Sequence, residues 1–445
     1  MAERVHLVSL GCPKNRVDSE VMVGQLLADG FEFVDDPADA DVIVVNTCSF
    51  IGPATEESVD TVLEMAGYKD TGHCRKLVVT GCMVQRFGRA LEDELPEVDH
   101  FLGTGEYHRI AAVLKARDGA EPRSYVDTPL YIHDELAPRI SSWRPHSAYL
   151  KISEGCDHRC AFCIIPKLRG RLRSRTIPSL VSEARSLAEQ GVVELNLVSQ
   201  DSTAYGRDLG DGSDLGGLLR ALCRVEGIEW IRLHYAYPIG LPESLLRAMA
   251  EEEKVCAYLD IPLQHASGAM LKAMRRGVTR AGQERILDRV RRFVPDVTLR
   301  TTFIVGFPGE TDADFAELMD FVEAQRFDRV GVFTYQPEEG TPAATLPGQV
   351  PDAVKRERQR LLMERQAAIS AERLQRFVGQ RMTVLVDGPS DVHPEVLAAR
   401  SRGQAPEVDG CVFLDGPPAS VAAGRFVEVD ITQAADHDLV GRVVG

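Results

Sequence analysis

Glu154-Gly155-Cys156-Asp157-His158-Arg159-Cys160-Ala161-Phe162-Cys163 places three cysteines in Cys-x3-Cys-x2-Cys spacing, and no fourth cysteine follows nearby. Cysteine thiolates normally hold all four irons of a 4Fe–4S cube, so three of them leave one iron open to a small molecule. A structural zinc site wants four ligands, and His158 is a candidate for the fourth. Zinc sites usually pair two such knuckles, however, and no second knuckle lies near. A redox disulfide accounts for only two of the three thiols.

The spacing resembles the signature of radical S-adenosylmethionine (SAM) enzymes. That resemblance implies SAM chelated on the open iron and cleaved to a radical by one electron, with the cofactor carrying the difficult chemistry. Outward from the triplet, strand and helix patterns alternate six times. The expected strands are 148–153, which leads into the cysteine loop, then 193–199, 229–235, 255–261, 298–305 and 328–335. Helical stretches such as 179–190 and 311–325 separate them. Six such units fit an open partial (βα)6 barrel, whose chemistry sits at the carboxyl ends of its strands. Those ends carry Ser199-Gln200-Asp201, Gln264-His265 and Gly306-Phe307-Pro308-Gly309. Gln200 and Gly306 are the candidates for SAM contact, although each segment is also ordinary turn punctuation. The run Lys167, Arg169, Arg171, Arg173, Arg175 reads as a polyanion site, as solvated charge, or as a device lowering thiolate pKa.

Upstream, one βα pattern recurs three times, each time with a cysteine just past the strand: Val5–Leu10 before Cys12, Asp41–Val45 before Cys48, and Lys76–Thr80 before Cys82. Helices are expected over 17–29, 54–66 and 84–95. Such units build an open parallel sheet of near-continuous apolar strands, and ligands collect at the carboxyl ends. The topology therefore carries Cys12, Cys48 and Cys82 to one edge as a second open-cluster set. Cys74 precedes its strand, at the opposite edge, and reads as structural. Cys223 and Cys256 fall on apolar faces. Downstream, 352–375 reads as one charged helix. Short alternating segments at 382–387, 395–399, 411–414, 426–431 and 439–444 then suggest a small all-β, OB-like barrel. From residue 376 the chain carries six arginines and no lysine against ten carboxylates. An RNA-binding barrel should be basic, so a positively charged protein suits this one better.

The chain as a whole has 445 residues and a net charge of −16, which disfavours DNA or another long nucleic-acid track. No apolar run reaches membrane length, and the stretch from Met1 has no signal-peptide pattern. A cytoplasmic location with no membrane partner is expected, where cysteines serve more often as metal ligands than as disulfides.

Two cysteine triplets, a parallel sheet, a partial barrel and a terminal β-barrel together resemble the methylthiotransferase family over essentially the whole chain. Within it, Leu10-Gly11-Cys12-Pro13-Lys14-Asn15, Lys151–Cys156 and Ser199-Gln200-Asp201 with Ala204-Tyr205-Gly206 resemble the branch that modifies a ribosomal protein. The tRNA-modifying branch usually shows Gly-Cys-Gln-Met-Asn at the first of these. The arginine-rich run after Pro166 departs from the pattern and makes that surface more basic than expected.

The resemblance implies an N-terminal auxiliary-cluster domain (4–118), a radical SAM domain (142–372) and a TRAM domain (375–444). It implies two 4Fe–4S clusters, one on Cys156, Cys160 and Cys163, the other on Cys12, Cys48 and Cys82. The implied reaction adds a β-methylthio group to an aspartate of small-subunit ribosomal protein twelve. Two SAM molecules and an electron donor such as flavodoxin or ferredoxin would serve it. The rivals are a tRNA adenosine methylthiotransferase of the same family and a non-catalytic iron–sulfur or zinc protein that docks on RNA.

Overall fold

The computed structural model describes residues 2–116 and 122–444. The expected boundary at residue 118 lies outside the described residues.

The N-terminal sheet contains β1 (Arg4–Ser9), β2 (Glu32–Phe33), β3 (Val42–Thr47), β4 (Lys76–Gly81), β5 (His100–Leu102) and β6 (Ser124–Tyr125). Its pairings are all parallel, in the order β2-β1-β3-β4-β5-β6. β3 is buried along its whole length, as a central parallel strand covered on both faces must be. One face is covered by Val21, Met22 and Leu26 of helix Pro13–Ala28 with Ile110 and Val113. The other is covered by Val62 and Met65 of helix Gly52–Ala66 with Met83 and Val84. The strand order reverses between β1 and β3, the switch point at which such sheets open a crevice for ligands.

Two helices differ from expectation. The first starts four residues earlier than residue 17, because Pro13 fits the first helical turn, where no N–H is needed. The helix expected over 84–95 is broken into Cys82–Phe87 and Leu91–Glu94. Gly88, at φ +58°, turns the chain between them.

The central domain supplies β7 (Ser147–Lys151), β10 (Glu194–Val198), β11 (Trp230–Leu233), β12 (Val255–Asp260), β13 (Thr298–Val305) and β14 (Arg329–Thr334). They form one parallel six-stranded sheet in chain order, β14-β13-β12-β11-β10-β7. An unbroken order without a switch point is that of a partial barrel. A two-rung hairpin of β8 (Ser153–Glu154) and β9 (Arg173–Ser174) clips the base of the cysteine loop. Helix Asp352–Gln375 lays Leu362 and Ile369 into the barrel core.

The C-terminal strands β15 (Arg381–Pro389), β16 (Leu397–Arg400), β17 (Val412–Asp415), β18 (Phe426–Ala434) and β19 (Leu439–Val443) close into a five-stranded barrel. It is not tethered loosely. Arg400 reaches Glu194 of β10 at 2.7 Å and Asp387 at 2.7 Å, and Glu194 also pairs with Arg232 at 3.2 Å. Trp230 packs edge-on against Phe426, centroids 5.0 Å apart. Three of the barrel's carboxylates are paired with arginines outside it: Asp387 (2.5 Å from Arg144), Glu407 (3.1 Å from Arg16) and Asp409 (3.6 Å from Arg300). Its outward acidity is therefore smaller than its composition suggests. No helix among the described residues is long and apolar enough to cross a membrane.

Candidate functional site

Cys48 follows β3 directly, Cys82 follows β4 directly, and Cys12 lies three residues past β1, all on the carboxyl edge. Two glycines make that approach feasible. Gly11 has φ +90°, and a Cβ there would stand 2.7 Å from Cys48 Cβ and 3.0 Å from its Sγ. Gly81 has φ +101° and would bring a Cβ within 2.6 Å of the Thr47 carbonyl. Asn15 stitches the loops together, donating from Nδ2 to the carbonyls of Leu10 (2.7 Å) and Thr47 (3.1 Å). Ser58 Oγ accepts from the Cys48 N–H at 3.0 Å. Cys74, by contrast, is buried at the other end of β4.

Burial pushes the Cys48 and Cys82 thiols up, Cys82 to about 12, and each is raised further by the neighbouring sulfurs and lowered by Arg169. Thiols raised in this way, as Cys48 and Cys82 are, ionise poorly alone and readily beside a metal ion, because metal binding displaces their protons. The second triplet behaves alike. Burial raises Cys156 to about 11 and Cys163 to about 12, with the other sulfurs of the set adding to it. Gly155, at φ +82°, presses against the Arg171 carbonyl so closely that any side chain would overlap it. The Cys156 N–H donates to the Gly170 carbonyl at 3.0 Å, and the Ala161 N–H to that of Met274 at 3.0 Å.

A cube carries its thiolates on separate irons, so they need not close on one point. Among the described residues no three His, Cys, Asp or Glu side chains converge as a single metal ion requires. His158, the zinc reading's fourth ligand, is engaged elsewhere: its Nε2 lies 2.7 Å from Asp201 and its ring stacks on Tyr237 at 3.6 Å. Tyr237 carries on its ring the guanidinium of Arg276 at 4.3 Å, and Arg276 donates to Cys160 Sγ at 3.2 Å. Gln200, half-buried, donates its amide N–H to Glu154, and its buried Oε1 has no partner. Gln264 Oε1, four residues past β12, is likewise without one. Both residues follow strands, at the carboxyl edge of the sheet. Gly306 is used differently: it has φ +73°, and a Cβ there would overlap the Lys355 side chain. Helix packing thus accounts for the glycine.

The two rims meet over a buried ion quartet. Lys151 Nζ donates to Asp18 and, at 2.8 Å, to Glu154. Arg169 Nη1 lies 2.6 Å from Asp18 and 3.2 Å from Glu154. Its Nη2 donates to Asn15 Oδ1 at 2.8 Å and to Cys82 Sγ at 3.4 Å. Burial opposes the Glu154 charge, yet Lys151 and Arg169 outweigh it and hold its carboxyl well below the usual range. Arg169 belongs to the helix after Cys163, while Asp18, Asn15 and Cys82 belong to the N-terminal sheet. Arg139 adds a second tie, reaching Glu20 at 2.6 Å, Glu183, and the Tyr149 carbonyl at 2.6 Å.

The basic run is therefore not one surface. Arg169 and Arg175 are buried in ion pairs, Arg173 is half-buried, and Lys167 and Arg171 are exposed, Lys167 donating to the Gly340 carbonyl at 2.7 Å. Lys14 also lies between the rims, its Nζ 3.7 Å from the Tyr235 ring centroid. Burial lowers its pKa, but the Tyr235 phenol and the Cys12 sulfur outweigh that and raise it. Sequence reasoning singled out neither Arg276 nor Lys14. The one signal was that Lys14 stands within the Leu10–Asn15 motif.

Residues 4–103 match the family described as "Uncharacterized protein family UPF0004", 150–322 the "Radical SAM superfamily", and 378–444 the "TRAM domain". The chain is 54% identical over 444 residues to "Ribosomal protein uS12 methylthiotransferase RimO" of Anaeromyxobacter sp. (strain K), covering 100% of this chain and 94% of that one. It is 51% identical to the protein of that name from Myxococcus xanthus (strain DK1622), over 99% of this chain and 91% of the other. Geobacter sulfurreducens has one at 47% identity, with 99% of each chain covered. In fold, the chain is similar to the radical S-adenosylmethionine methyltransferase TsrM from Kitasatospora setae, with TM-score 0.57, 17% identity, and 86% and 79% of the two chains covered. It also matches the cobalamin-dependent radical enzyme OxsB, with TM-score 0.52, 14% identity, and 83% and 56% covered.

Proposed function

The chain belongs to the family of ribosomal protein uS12 methylthiotransferases, and from that premise we propose how its two cysteine rims divide the work. It is a radical SAM enzyme that transfers a methylthio group, with uS12 as its substrate. On our reading the target is the β-carbon of an aspartate in uS12. Cys156, Cys160 and Cys163 hold one 4Fe–4S cluster, and Cys12, Cys48 and Cys82 hold a second. When bound, the first cluster supplies the electron that cleaves SAM, and the second carries the sulfur to be transferred.

The observation that carries this division is the pair of three-thiol edges joined by one buried quartet. Arg276 steadies the first set, donating to the Cys160 sulfur from a guanidinium stacked on Tyr237. Asp201 holds His158 against the same tyrosine and keeps the loop's outer turn in place. Gln200 offers its unpartnered Oε1 to the amine of SAM, fixed in aim by its bond to Glu154. Asp18, Lys151, Glu154 and Arg169 keep the rims at one separation, and a fixed separation lets the reacting groups meet without a search. The electron comes from a one-electron carrier such as flavodoxin or ferredoxin.

Intact-mass analysis of uS12 from cells with and without the gene tests the substrate. Loss of methylthio-adenosine from tRNA with unchanged uS12 would sink the proposal. Cys12→Ala tests the division of labour: thiolation should stop while SAM cleavage continues. Loss of both activities would mean that the two sets do not act separately.

A further inference from the structure

At the junction of the two rims nearly every cation has its carboxylate. Lys151 and Arg169 share Asp18 and Glu154, Arg139 has Glu20 and Glu183, and Arg175 has Glu183. Lys14 does not. Among the described residues no carboxylate stands within ion-pair distance of its ammonium. What lies against it is the face of Tyr235, 3.7 Å from Nζ to the ring centroid. Its charged surroundings are the Cys12 sulfur two residues back and Glu154 of the quartet.

The placement is unusual on both sides of the contact. Tyr235 follows β11 at φ +59°, a left-handed backbone that a bulky residue rarely adopts. It brings the aromatic face to the carboxyl edge of the radical sheet. Lys14 occupies the first turn of helix Pro13–Ala28, whose N-cap is Cys12. The ammonium is thus held between the two edges by the π-face and phenol of Tyr235, which engage at most one of its three N–H donors. A partly desolvated charge with unused donors is a site waiting for an anion.

We propose that Lys14 is a substrate-binding residue that receives the side-chain carboxylate of the residue being modified. The assignment rests on the reading that this residue is an aspartate of uS12. In aspartate the β-carbon is bonded directly to the carboxyl carbon. A carboxylate gripped at charge-assisted hydrogen-bond distance therefore places that carbon roughly 4 Å from Nζ, in the space between the rims. The grip also selects: asparagine or any neutral side chain leaves the ammonium without its counter-charge.

The test uses the reconstituted full chain without reductant, so that binding is read without turnover, and uS12 carrying either Asp or Asn at the modified position. Wild type should bind the Asp form roughly ten- to hundredfold more tightly, the worth of one charged hydrogen bond. Lys14→Met should bind both forms equally, at the weaker level, with unchanged iron content and EPR spectra. Lys14→Arg should restore most of the preference, and Lys14→Gln repeats the test if Lys14→Met folds poorly. Discrimination that survives in Lys14→Met or Lys14→Gln would overturn the proposal. So would a variant that loses iron or changes its EPR spectrum while its preference for Asp persists, because Lys14 would then serve the auxiliary rim. A wild-type enzyme that leaves uS12 unmodified would instead bring down the functional reading beneath it, and the assignment with it.

Discussion

Arg169→Met removes one cation from a quartet that is neutral as it stands: Lys151 and Arg169 against Asp18 and Glu154, all buried. What remains is two carboxylates facing one ammonium, all of them buried. Breaking a buried pair by deleting one partner costs about 3–5 kcal/mol, far more than a surface pair is worth. Asn15 Oδ1 and Cys82 Sγ lose a donor in the same step. For a cooperative unit the size of one domain, that loss corresponds to a drop of roughly 6–20 °C in the first calorimetric transition of the anaerobically reconstituted enzyme. Arg171→Met is the control. It sits two residues away, 3.3 Å from Asp157, with its side chain 90% exposed, and should move the same transition by no more than about 2 °C.

A second variant separates charge imbalance from lost packing. Glu154→Gln with Arg169→Met restores neutrality, so the double change should cost less than the two single changes summed, by about 0.5–3 kcal/mol. If Arg169→Met costs no more than Arg171→Met, or the double variant is strictly additive, the quartet does not hold the rims together.

Three further outcomes follow from single contacts. Arg276→Gln removes a buried positive charge from the Cys160 sulfur, so the SAM-cleaving cluster should titrate at a more negative potential by EPR, with the other cluster unmoved. Gly11→Ala forces a Cβ into Cys48 at positive φ; iron per chain should fall by roughly half while SAM cleavage persists. For Glu194, burial raises the pKa but Arg400 and Arg232 outweigh it and hold the carboxyl at about 2, from an ordinary 4.5. A depressed carboxylate stabilises above its unfolded pKa and loses that contribution as pH falls through its folded one. Barrel docking, read from the fluorescence of Trp230 against Phe426, should therefore weaken between pH 4.5 and 2. Glu194→Gln should dock more weakly at neutral pH and lack that acid step.

The long strands were legible because a parallel strand buried on both faces is an apolar run, as Val42–Val45 and Leu195–Val198 are. β2, β6, β8 and β9 have two residues each, too few to carry a period. The gathering of Cys12, Cys48 and Cys82 on one sheet edge was legible because it depends only on their position after a strand. Gly306 was read as a candidate SAM contact in a glycine turn; the turn is there, at φ +73°, and Lys355 packs against the position a side chain would take. Arg169 stood in a run that read equally as a polyanion site, as solvated charge or as a device lowering thiolate pKa, with nothing to mark it off from the other arginines. Its partners Asp18 and Cys82 stand 151 and 87 residues away and become partners only when the domains dock. Lys14 was hidden for the opposite reason: its importance lies in the ion pair it lacks.

A chain of net charge −16 must hold its sulfur-rich centres against its own field, and the two rims do so by different means. Helix Pro13–Ala28 begins at Cys12 and helix Gly52–Ala66 begins just beyond Cys48, so the positive ends of two long helices lie along the auxiliary rim. Arg169 is also there, but its charge is already balanced by Asp18 and Glu154. The radical triplet sits in a loop followed by a helix of only five residues, and its supply is a side chain, Arg276, which has no carboxylate partner among the described residues. Backbone dipoles stay fixed as long as the sheet does, whereas one guanidinium on one sulfur is a setting that a single substitution changes. The auxiliary rim should therefore tolerate the loss of any one nearby charge better than the radical rim tolerates the loss of Arg276.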